Sequence, residues 1–280
     1  MKTGIATLFC LLSVFTVLTT LQPALVQAQD FSERLALQTW TMRKMNFEEM
    51  TDFAAKMGFT DLQMWSSTSG GHMDPLAPWD EIKRQKETLD RKGLKAYAFG
   101  VTRVTRNEEE LRKIFEFARY MGMEMIITEP TEKRQLDLLE KFALVYDIKV
   151  AVHNHTIESP FGNPLTVKML LADRDPRIGV CLDAGWMTTT GLDVAEVYRD
   201  YGDRVLDIHL KDKVVHSGEA DHDYEDVDIG TGDANLIGLF KAMKETGYSG
   251  RIAIETDQQL EDPTDFVKGA VAFVKQHGVW

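Results

Sequence analysis

The sequence contains very little cysteine, with two residues among 280. Cys10 lies in an apolar N-terminal segment that we expect to be removed, and Cys181 lies within an apolar predicted strand. With one cysteine left, an intramolecular disulfide is excluded, although export would permit one. We therefore expect Cys181 to be a small core residue.

Basic residues are also scarce: the sequence has 32 lysines and arginines but 44 aspartates and glutamates. The net charge is −12, and removal of the N-terminal segment takes away one positive charge, that of Lys2, so −12 becomes −13. Nucleic-acid phosphates require a basic surface, so this balance argues against nucleic acid as a partner. The sequence also has no arginine cluster and no glycine-rich helix start for a phosphate group.

No segment rich in proline, glycine or serine separates two domains. The residues after the first predicted strand, Thr41-Met42-Arg43-Lys44, lack the glycine-rich turn that binds phosphate in open doubly wound sheets. These absences favour a single domain. An open doubly wound sheet is the alternative architecture.

The first 28 residues have the pattern of a secretory signal peptide. Lys2 precedes an apolar run over residues 5–21, and Val26-Gln27-Ala28 offers small residues for cleavage. A membrane anchor is the alternative interpretation, but the run is borderline in length for a span. We expect cleavage near Ala28, export to the periplasm, and no membrane association of the mature chain.

Residues 30–280 alternate between short apolar segments and amphipathic segments. Apolar runs of this kind are typical of parallel strands that are buried on both faces. Eight units of strand followed by helix predict an α/β fold, the (βα)8 TIM barrel, in one domain. The predicted strands are 35–41, 61–65, 94–100, 124–129, 149–154, 177–183, 204–210 and 251–256.

The last three predicted strands each end on or beside a group that binds divalent metals, namely Asp183, His209 and Glu255. Such a group is costly to bury unless it is paired or ligated. In a barrel, the C-terminal ends of the strands surround one mouth, where active sites are built. The trio therefore predicts a divalent metal site. Mixed histidine and carboxylate ligands favour Mn²⁺, Co²⁺, Zn²⁺ or Fe²⁺ over Ca²⁺, with Mg²⁺ as a further candidate.

A fourth ligand is expected from His153, His155 or Glu129, at the ends of the fifth and fourth predicted strands. Each of these residues has another interpretation. His155 alone could be a hydrogen-bonded structural residue, and Glu129 before Pro130 could cap the next helix. Lys211 could belong to a solvated turn.

Four short motifs contain or flank the predicted ligands: Val180-Cys181-Leu182-Asp183-Ala184-Gly185, Asp207-Ile208-His209-Leu210-Lys211-Asp212, Gly230-Thr231-Gly232 and Ile252-Ala253-Ile254-Glu255. With these motifs the chain resembles the xylose-isomerase-like barrel superfamily, whose members are often called sugar phosphate isomerases/epimerases. The resemblance covers essentially all of residues 30–280. It implies a divalent metal held by Asp183, His209 and Glu255 with a fourth ligand from the fifth strand. It also implies that the metal binds two oxygens of a sugar and polarises a carbonyl.

Two positions depart from the epimerase branch of that superfamily. The fifth strand usually ends in a glutamate that serves as ligand and base, whereas here His153-Asn154-His155 occupies that place. A histidine commonly stands three residues after the aspartate, whereas here that residue is Trp186. Epimerisation by two carboxylates is therefore less expected. The His-Asn-His strand end resembles exported or dehydratase-like members, some of which act by elimination on 3-keto-glycosides or keto-inositols.

The candidate catalytic residues are Glu255, His153, His155 and Lys211. A Lewis-acid metal on a ketone makes the neighbouring C–H acidic, and a nearby histidine or glutamate removes that proton. Lys211 could stabilise the oxyanion or protonate a leaving oxygen.

The candidate substrate-binding residues lie near strand ends. Tryptophans at these positions could stack on a sugar ring or pack the barrel rim. The five candidates are Trp40, Gln63, Trp65, Asn154 and Trp186.

Three functions remain open for a chain with these features. The first is a metal-dependent sugar isomerase or epimerase. The second is a lyase or dehydratase that acts on a keto-sugar or 3-keto-glycoside. The third is a non-catalytic sugar-binding protein with the same barrel. Each takes a small-molecule sugar or keto-glycoside as partner, and a homo-oligomer is compatible with all three.

Overall fold

The structure, a computed structural model, describes residues 30–66, 71–216 and 223–278, so the predicted signal peptide lies outside the described residues. The strands in chain order are β1 (Leu35–Gln38), β2 (Asp61–Met64), β3 (Lys95–Thr102), β4 (Met125–Thr128), β5 (Lys149–His153), β6 (Ile178–Asp183), β7 (Val205–Leu210), β8 (Lys213–Val215), β9 (Tyr224–Asp226) and β10 (Arg251–Ile254). Eight of them are parallel and close into a barrel in the order β1-β10-β7-β6-β5-β4-β3-β2, while β8 and β9 form an antiparallel hairpin. The predicted (βα)8 TIM barrel is confirmed.

Helices connect successive barrel strands and cover the outside of the barrel. They are α1 (Phe47–Lys56), α2 (Trp79–Arg91), α3 (Glu108–Met121), α4 (Lys133–Tyr146), α5 (Pro164–Leu171), α6 (Ala184–Thr188), α7 (Val194–Tyr201), α8 (Leu236–Thr246) and α9 (Thr264–His277). Several begin at a side-chain cap, as at Asn46 with its capping box and at Asn107, the predicted cap of α3. No helix within the described residues is long and apolar enough to cross a membrane.

The core has two layers. The larger layer lies between the strands and the helices, and the smaller one fills the barrel interior. The interior layer contains four alanines, Ala36, Ala98, Ala151 and Ala253, where many barrels have larger branched side chains. These small side chains leave room inside the barrel for a buried polar layer, described below. Cys181 is fully buried in this interior, as expected.

Several element bounds differ from the prediction for local reasons. Strand β1 ends at Gln38 because the Gln38 side chain caps a 3-10 turn over Thr39–Met42. Strand β3 continues to Thr102, two residues beyond the predicted end at Gly100. The hairpin β8–β9 and the short helix α6 were not predicted, because segments of three to five residues carry too little periodicity to be recognised.

Candidate functional site: a His/Asp/Glu cluster in the barrel mouth

Four side chains from neighbouring strands meet at the C-terminal end of the barrel. His153 and Asp183 are the last residues of β5 and β6, His209 is the penultimate residue of β7, and Glu255 directly follows β10. All four are buried, and each offers a ligand atom within 4.8 Å of the others. The strand register explains the convergence, because Asp183 pairs with His209 and His153 pairs with Cys181 in adjacent parallel strands.

The spacing of these atoms suits a transition-metal ion. Asp183 Oδ2 lies 3.4 Å from His153 Nε2 and 3.5 Å from His209 Nδ1. Ligand atoms that lie about 2.1 Å from one tetrahedral ion are about 3.4 Å apart. His209 Nδ1 and Glu255 Oε2 are only 2.5 Å apart, so this pair would have to separate slightly around an ion.

Two orphaned polar atoms support the same assignment. Among the described residues, neither His209 Nδ1 nor Glu255 Oε2 has a hydrogen-bond partner, although both are buried. Their 2.5 Å contact is within ion-pair distance but lacks hydrogen-bond angles. Buried polar atoms of this kind are expensive unless something satisfies them. The residues present therefore fit a divalent metal ion.

The charge around Lys211 leads to the same conclusion. Its ammonium group is buried and lies 3.3 Å from Asp183, 2.9 Å from Glu255 and 3.1 Å from Asp257. Burial alone would raise the pKa of these three carboxyl groups, but the neighbouring cations outweigh it, so each pKa is lowered. Lys213 Nζ also lies 3.4 Å from Asp257, so three carboxylates here face two ammonium groups. A divalent ion would add positive charge beside these carboxylates.

Glu129 orients His153 from outside the cluster. His153 Nδ1 lies 2.8 Å from Glu129 Oε1, and the opposite ring nitrogen points at Asp183. Burial opposes a charge on His153, but its hydrogen bonds to Asp183 and Glu129 outweigh burial and raise its pKa. A carboxylate behind a histidine ligand fixes the ring orientation in many metal sites. The structure therefore places Glu129 behind a ligand and outside the four-residue cluster.

Gln63 holds His209 in the same way. Gln63 Oε1 lies 2.6 Å from His209 Nε2, and Gln63 Nε2 donates to Asp207 Oδ2 at 2.6 Å. Because an amide oxygen only accepts, the neutral His209 ring carries its proton on Nε2 and presents Nδ1 to the cluster. Asp207 also accepts from Tyr97, and burial raises the pKa of Asp207 to about 7. This polar layer occupies the space that the interior alanines leave.

The Asn154 side chain is hydrogen-bonded to the backbone of Asp183. Its amide donates to the Asp183 carbonyl at 3.1 Å and accepts from the Asp183 N–H at 2.9 Å. Both ends of the amide are therefore engaged. Like Gln63, Asn154 is buried and does not line the cavity described next.

The loop after β7 is fixed by Asp212. Its carboxylate accepts four backbone N–H bonds, from Lys213, Gly230, Gly232 and Ala234, at 2.8 to 3.1 Å. A Cβ at Gly232 would lie 2.3 Å from Asp212 Oδ1, so the close approach requires glycine. The His-x-Lys-Asp and Gly-x-Gly motifs are thus two halves of one structural contact.

A cavity of about 360 Å³ opens above the cluster. Trp40 and Trp65 form one aromatic wall and meet edge to face at 4.7 Å. His155 and Trp186 form the other, with ring centroids 3.7 Å apart. Aromatic walls with a few polar groups between them suit a flat polyol ring. The cavity is also lined by Gln38, Val101, Thr102, Arg103, Glu129, His153, Lys211, Glu255 and Asp257.

His155 differs from the other two histidines of the site. It lines the cavity but does not belong to the four-residue cluster, and burial lowers its pKa. Among the described residues, neither of its ring nitrogens has a hydrogen-bond partner. An imidazole with free nitrogens in a cavity can accept a proton from a bound molecule.

Most of the predicted site residues therefore surround one cavity. The predicted metal trio and His153 converge, His155 and Lys211 face the cavity, and Gln63 and Asn154 lie behind the ligands. The metal-binding and catalytic roles of these residues stay predictions.

Sequence reasoning missed five residues that line the cavity, namely Gln38, Val101, Thr102, Arg103 and Asp257. Asp257 lies two residues after Glu255, and the alternation Glu-x-Asp at a strand end could have indicated it. Arg103 reaches the cavity because β3 extends to Thr102, which the strand pattern did not indicate.

Comparison with known proteins identifies the class of this barrel. Residues 51–277 match the sequence model of the family described as xylose isomerase-like TIM barrel. The chain belongs to this family, which confirms the resemblance of its motifs.

Individual relatives match only part of the chain. An inosose dehydratase of Lacticaseibacillus casei is 25% identical over 121 residues, which are 38% of this chain and 40% of the relative. An Escherichia coli (strain K12) protein named as an L-ribulose-5-phosphate 3-epimerase is 32% identical over 80 residues, which are 29% of this chain and 28% of the relative. The chain thus matches well under half of the length of these curated relatives.

A solved structure covers nearly the whole barrel. An uncharacterised protein from Parabacteroides distasonis ATCC 8503 is 25% identical, with a TM-score of 0.66 over 87% of this chain and 98% of that protein. The match supports the barrel topology along its full length.

Proposed function

We propose that the chain is a metal-dependent enzyme that removes a proton from the carbon next to a sugar carbonyl. The observation that carries the proposal is the four-residue cluster at the floor of an aromatic-walled cavity, with two buried ligand atoms that have no hydrogen-bond partner among the described residues. The family relationship supports it, because named relatives include an epimerase and a dehydratase of sugars or cyclitols.

The residues divide the work as follows. His153, Asp183, His209 and Glu255 would hold the metal, which when bound supplies Lewis acidity toward a carbonyl oxygen. His155 takes the proton, since its ring nitrogens are free and face the cavity. Lys211 stabilises negative charge on the substrate oxygen with its ammonium group. Trp40, Trp65 and Trp186 hold the sugar ring and exclude water.

Isomerisation or epimerisation is the first candidate outcome. It needs a second group that returns the proton, and Glu255 lies on β10, three strands around the barrel from His155 after β5. The two groups can therefore approach a bound ring from different sides.

Elimination is the second candidate, and a specific contact favours it. Glu255 is engaged by Lys211 at 2.9 Å and points its other oxygen into the cluster. If that carboxylate is a ligand and no proton donor, His155 acts as the single base. Lys211 can then protonate a leaving oxygen, and the product is an unsaturated keto-sugar.

Proton exchange in D₂O separates these outcomes. The Mn²⁺-loaded protein is incubated with a free ketose and with a 3-keto-glycoside, and the products are followed by NMR. Deuterium in an epimeric product supports the first candidate, and release of the aglycone supports the second. Binding with no exchange for any keto-sugar overturns the proposal and leaves a sugar-binding protein.

Variants test the assigned base. His155→Asn should slow exchange by about 100-fold or more while metal content stays at the wild-type level. Glu87→Gln, an exposed change on α2, serves as the control and should exchange at the wild-type rate. Full exchange by His155→Asn would remove His155 from the mechanism.

A further inference from the structure

A second cavity adjoins the one above the metal-ligand cluster. It has a volume of about 400 Å³ and shares three lining residues with the first, namely Arg103, Glu129 and His153. The shared residues form a common wall, with the His153–Glu129 pair between the two spaces. The two cavities therefore adjoin at Arg103 and Glu129.

The walls of the second cavity come from loops at the C-terminal end of the barrel. They follow β3, β4 and β5, which is the face where barrels of this class build substrate sites. The apolar part consists of Val104, Pro130, Pro160 and Phe161. Flat apolar side chains of this kind pack against the C–H face of a sugar ring.

The polar groups of the second cavity fall into two sets. Gln135 is held at both ends of its amide, because its oxygen accepts from the Thr131 N–H at 2.6 Å and its nitrogen donates to the Val104 carbonyl at 2.9 Å. These bonds fix the Gln135 side chain in the cavity wall and leave one amide N–H without a partner among the described residues. Arg103 and Glu129 are different. Among the described residues, the Arg103 guanidinium and the second carboxylate oxygen of Glu129 have no partner.

A donor and an acceptor that line the same cavity suit the hydroxyl groups of a second ring, because each hydroxyl both donates and accepts. A carboxylate ligand would meet the charge of Glu129, and a cationic ligand would meet that of Arg103. A neutral ring with several hydroxyls satisfies both groups. The apolar wall of the cavity then covers its C–H face.

We propose that this second cavity is a subsite for a second carbohydrate ring, so that the substrate is a glycoside of at least two rings. The keto ring lies above the cluster, and its linked neighbour lies against Phe161 and Pro160, between Arg103 and Glu129. This inference rests on the proposed function for its first ring only. The second ring is recognised by binding, so it can be tested without turnover.

Calorimetric titration of the metal-loaded protein tests the subsite with unreactive sugars. Cellobiose, lactose, maltose and trehalose are compared with glucose. At least one disaccharide should bind about tenfold more tightly than glucose. A panel in which no disaccharide binds more tightly than glucose overturns the inference.

Variants that fill the second cavity provide a second test of the subsite. Ser159→Trp and Thr131→Trp each place a large ring in the second cavity, and either one should lower the ratio of disaccharide to glucose affinity by about tenfold. Two variants are used because one of them can fail to fold, which thermal unfolding detects. Arg106→Ala is the control, since Arg106 pairs with Glu132 at the surface and does not line the cavity. An unchanged ratio in a folded filled variant overturns the inference.

The two proposals fail in different assays. If no keto-sugar exchanges a proton in D₂O but the filled variants lose disaccharide preference, the catalytic proposal is wrong and the subsite stands. If keto-monosaccharides exchange and the filled variants keep the wild-type ratio, the subsite is wrong and the catalytic proposal stands.

Discussion

Replacing Lys211 by methionine tests the charge balance of the cluster most directly. Methionine keeps the length and apolar stem of lysine and removes only the ammonium group. In the wild type that group lies between Asp183, Glu255 and Asp257 at 2.9 to 3.3 Å and is 1% exposed. Burial alone would lower its pKa, but these carboxylates and that of Asp226 outweigh burial and raise the pKa well above its usual value. Lys211 is therefore charged throughout the working pH range.

The expected cost follows from leaving buried carboxylates without their cation. Removing one partner of a buried ion pair costs about 3–5 kcal/mol. In a domain of this size, about 1 kcal/mol shifts the melting temperature by about 2–4 °C, so we expect a loss on the order of 10 °C in EDTA. A divalent ion supplies two positive charges to the same carboxylates. Mn²⁺ or Zn²⁺ should thus stabilise Lys211→Met more than it stabilises the wild type.

The assay is thermal unfolding of both proteins, in EDTA and across a metal titration. Stabilisation by a ligand follows its concentration relative to its dissociation constant, so the titration reports affinity as well. Lys83→Met, at an exposed ion pair, is the matched control and should shift stability by less than about 0.5 kcal/mol. Equal stability of Lys211→Met and wild type in EDTA, or equal stabilisation of both by metal, would refute the charge argument.

Three further changes test other parts of the structure. Gln63→Leu removes the acceptor that fixes His209, so metal affinity should fall by about 10- to 100-fold in chelator competition, and an unchanged affinity contradicts the orienting role. Asp212→Ala leaves four backbone N–H groups without their acceptor, so urea unfolding should show a loss of about 3 kcal/mol. Burial lowers the pKa of His72, which contacts the Met45 carbonyl, so its contribution to stability is present above the unfolded pKa of about 6.5 and is lost as pH falls through the folded pKa. In His72→Gln the free energy of unfolding should therefore fall less between about pH 7 and pH 5, as measured by denaturant unfolding at each pH. The same fall in the variant and the wild type would exclude His72 as its cause.

Much of the barrel follows from the sequence because its signals are local. Apolar runs of four to six residues, caps such as Asn107 and the alternation of strand and helix each depend on adjacent residues. The ends of elements are less predictable, because tertiary contacts decide them. The Gln38 side chain caps the turn that ends β1, and it also donates to Gln63 on the neighbouring strand.

The residues of the predicted metal site lie between these two cases. Asp183, His209 and Glu255 could be selected because each stands at the end of an apolar strand, and parallel strands bring those ends together. The fourth place could not be assigned, since His153, His155 and Glu129 are all compatible with the sequence. The register of β5 and β6 places His153 in the cluster, leaves His155 in the cavity and sets Glu129 behind His153.

The sequence by itself determined the fold class, the three strand-end residues that meet in the barrel mouth and the acidic balance, because each depends on residue type and on spacing along the chain. Only the tertiary structure decided which histidine joins the cluster, which carboxylates surround Lys211, and that a second cavity adjoins the first at Glu129. These features join residues that are 24 to 46 positions apart in the chain, as in the contacts of His153 with Glu129 and of Lys211 with Asp257. No local pattern encodes such distances, because they arise from the closure of the barrel.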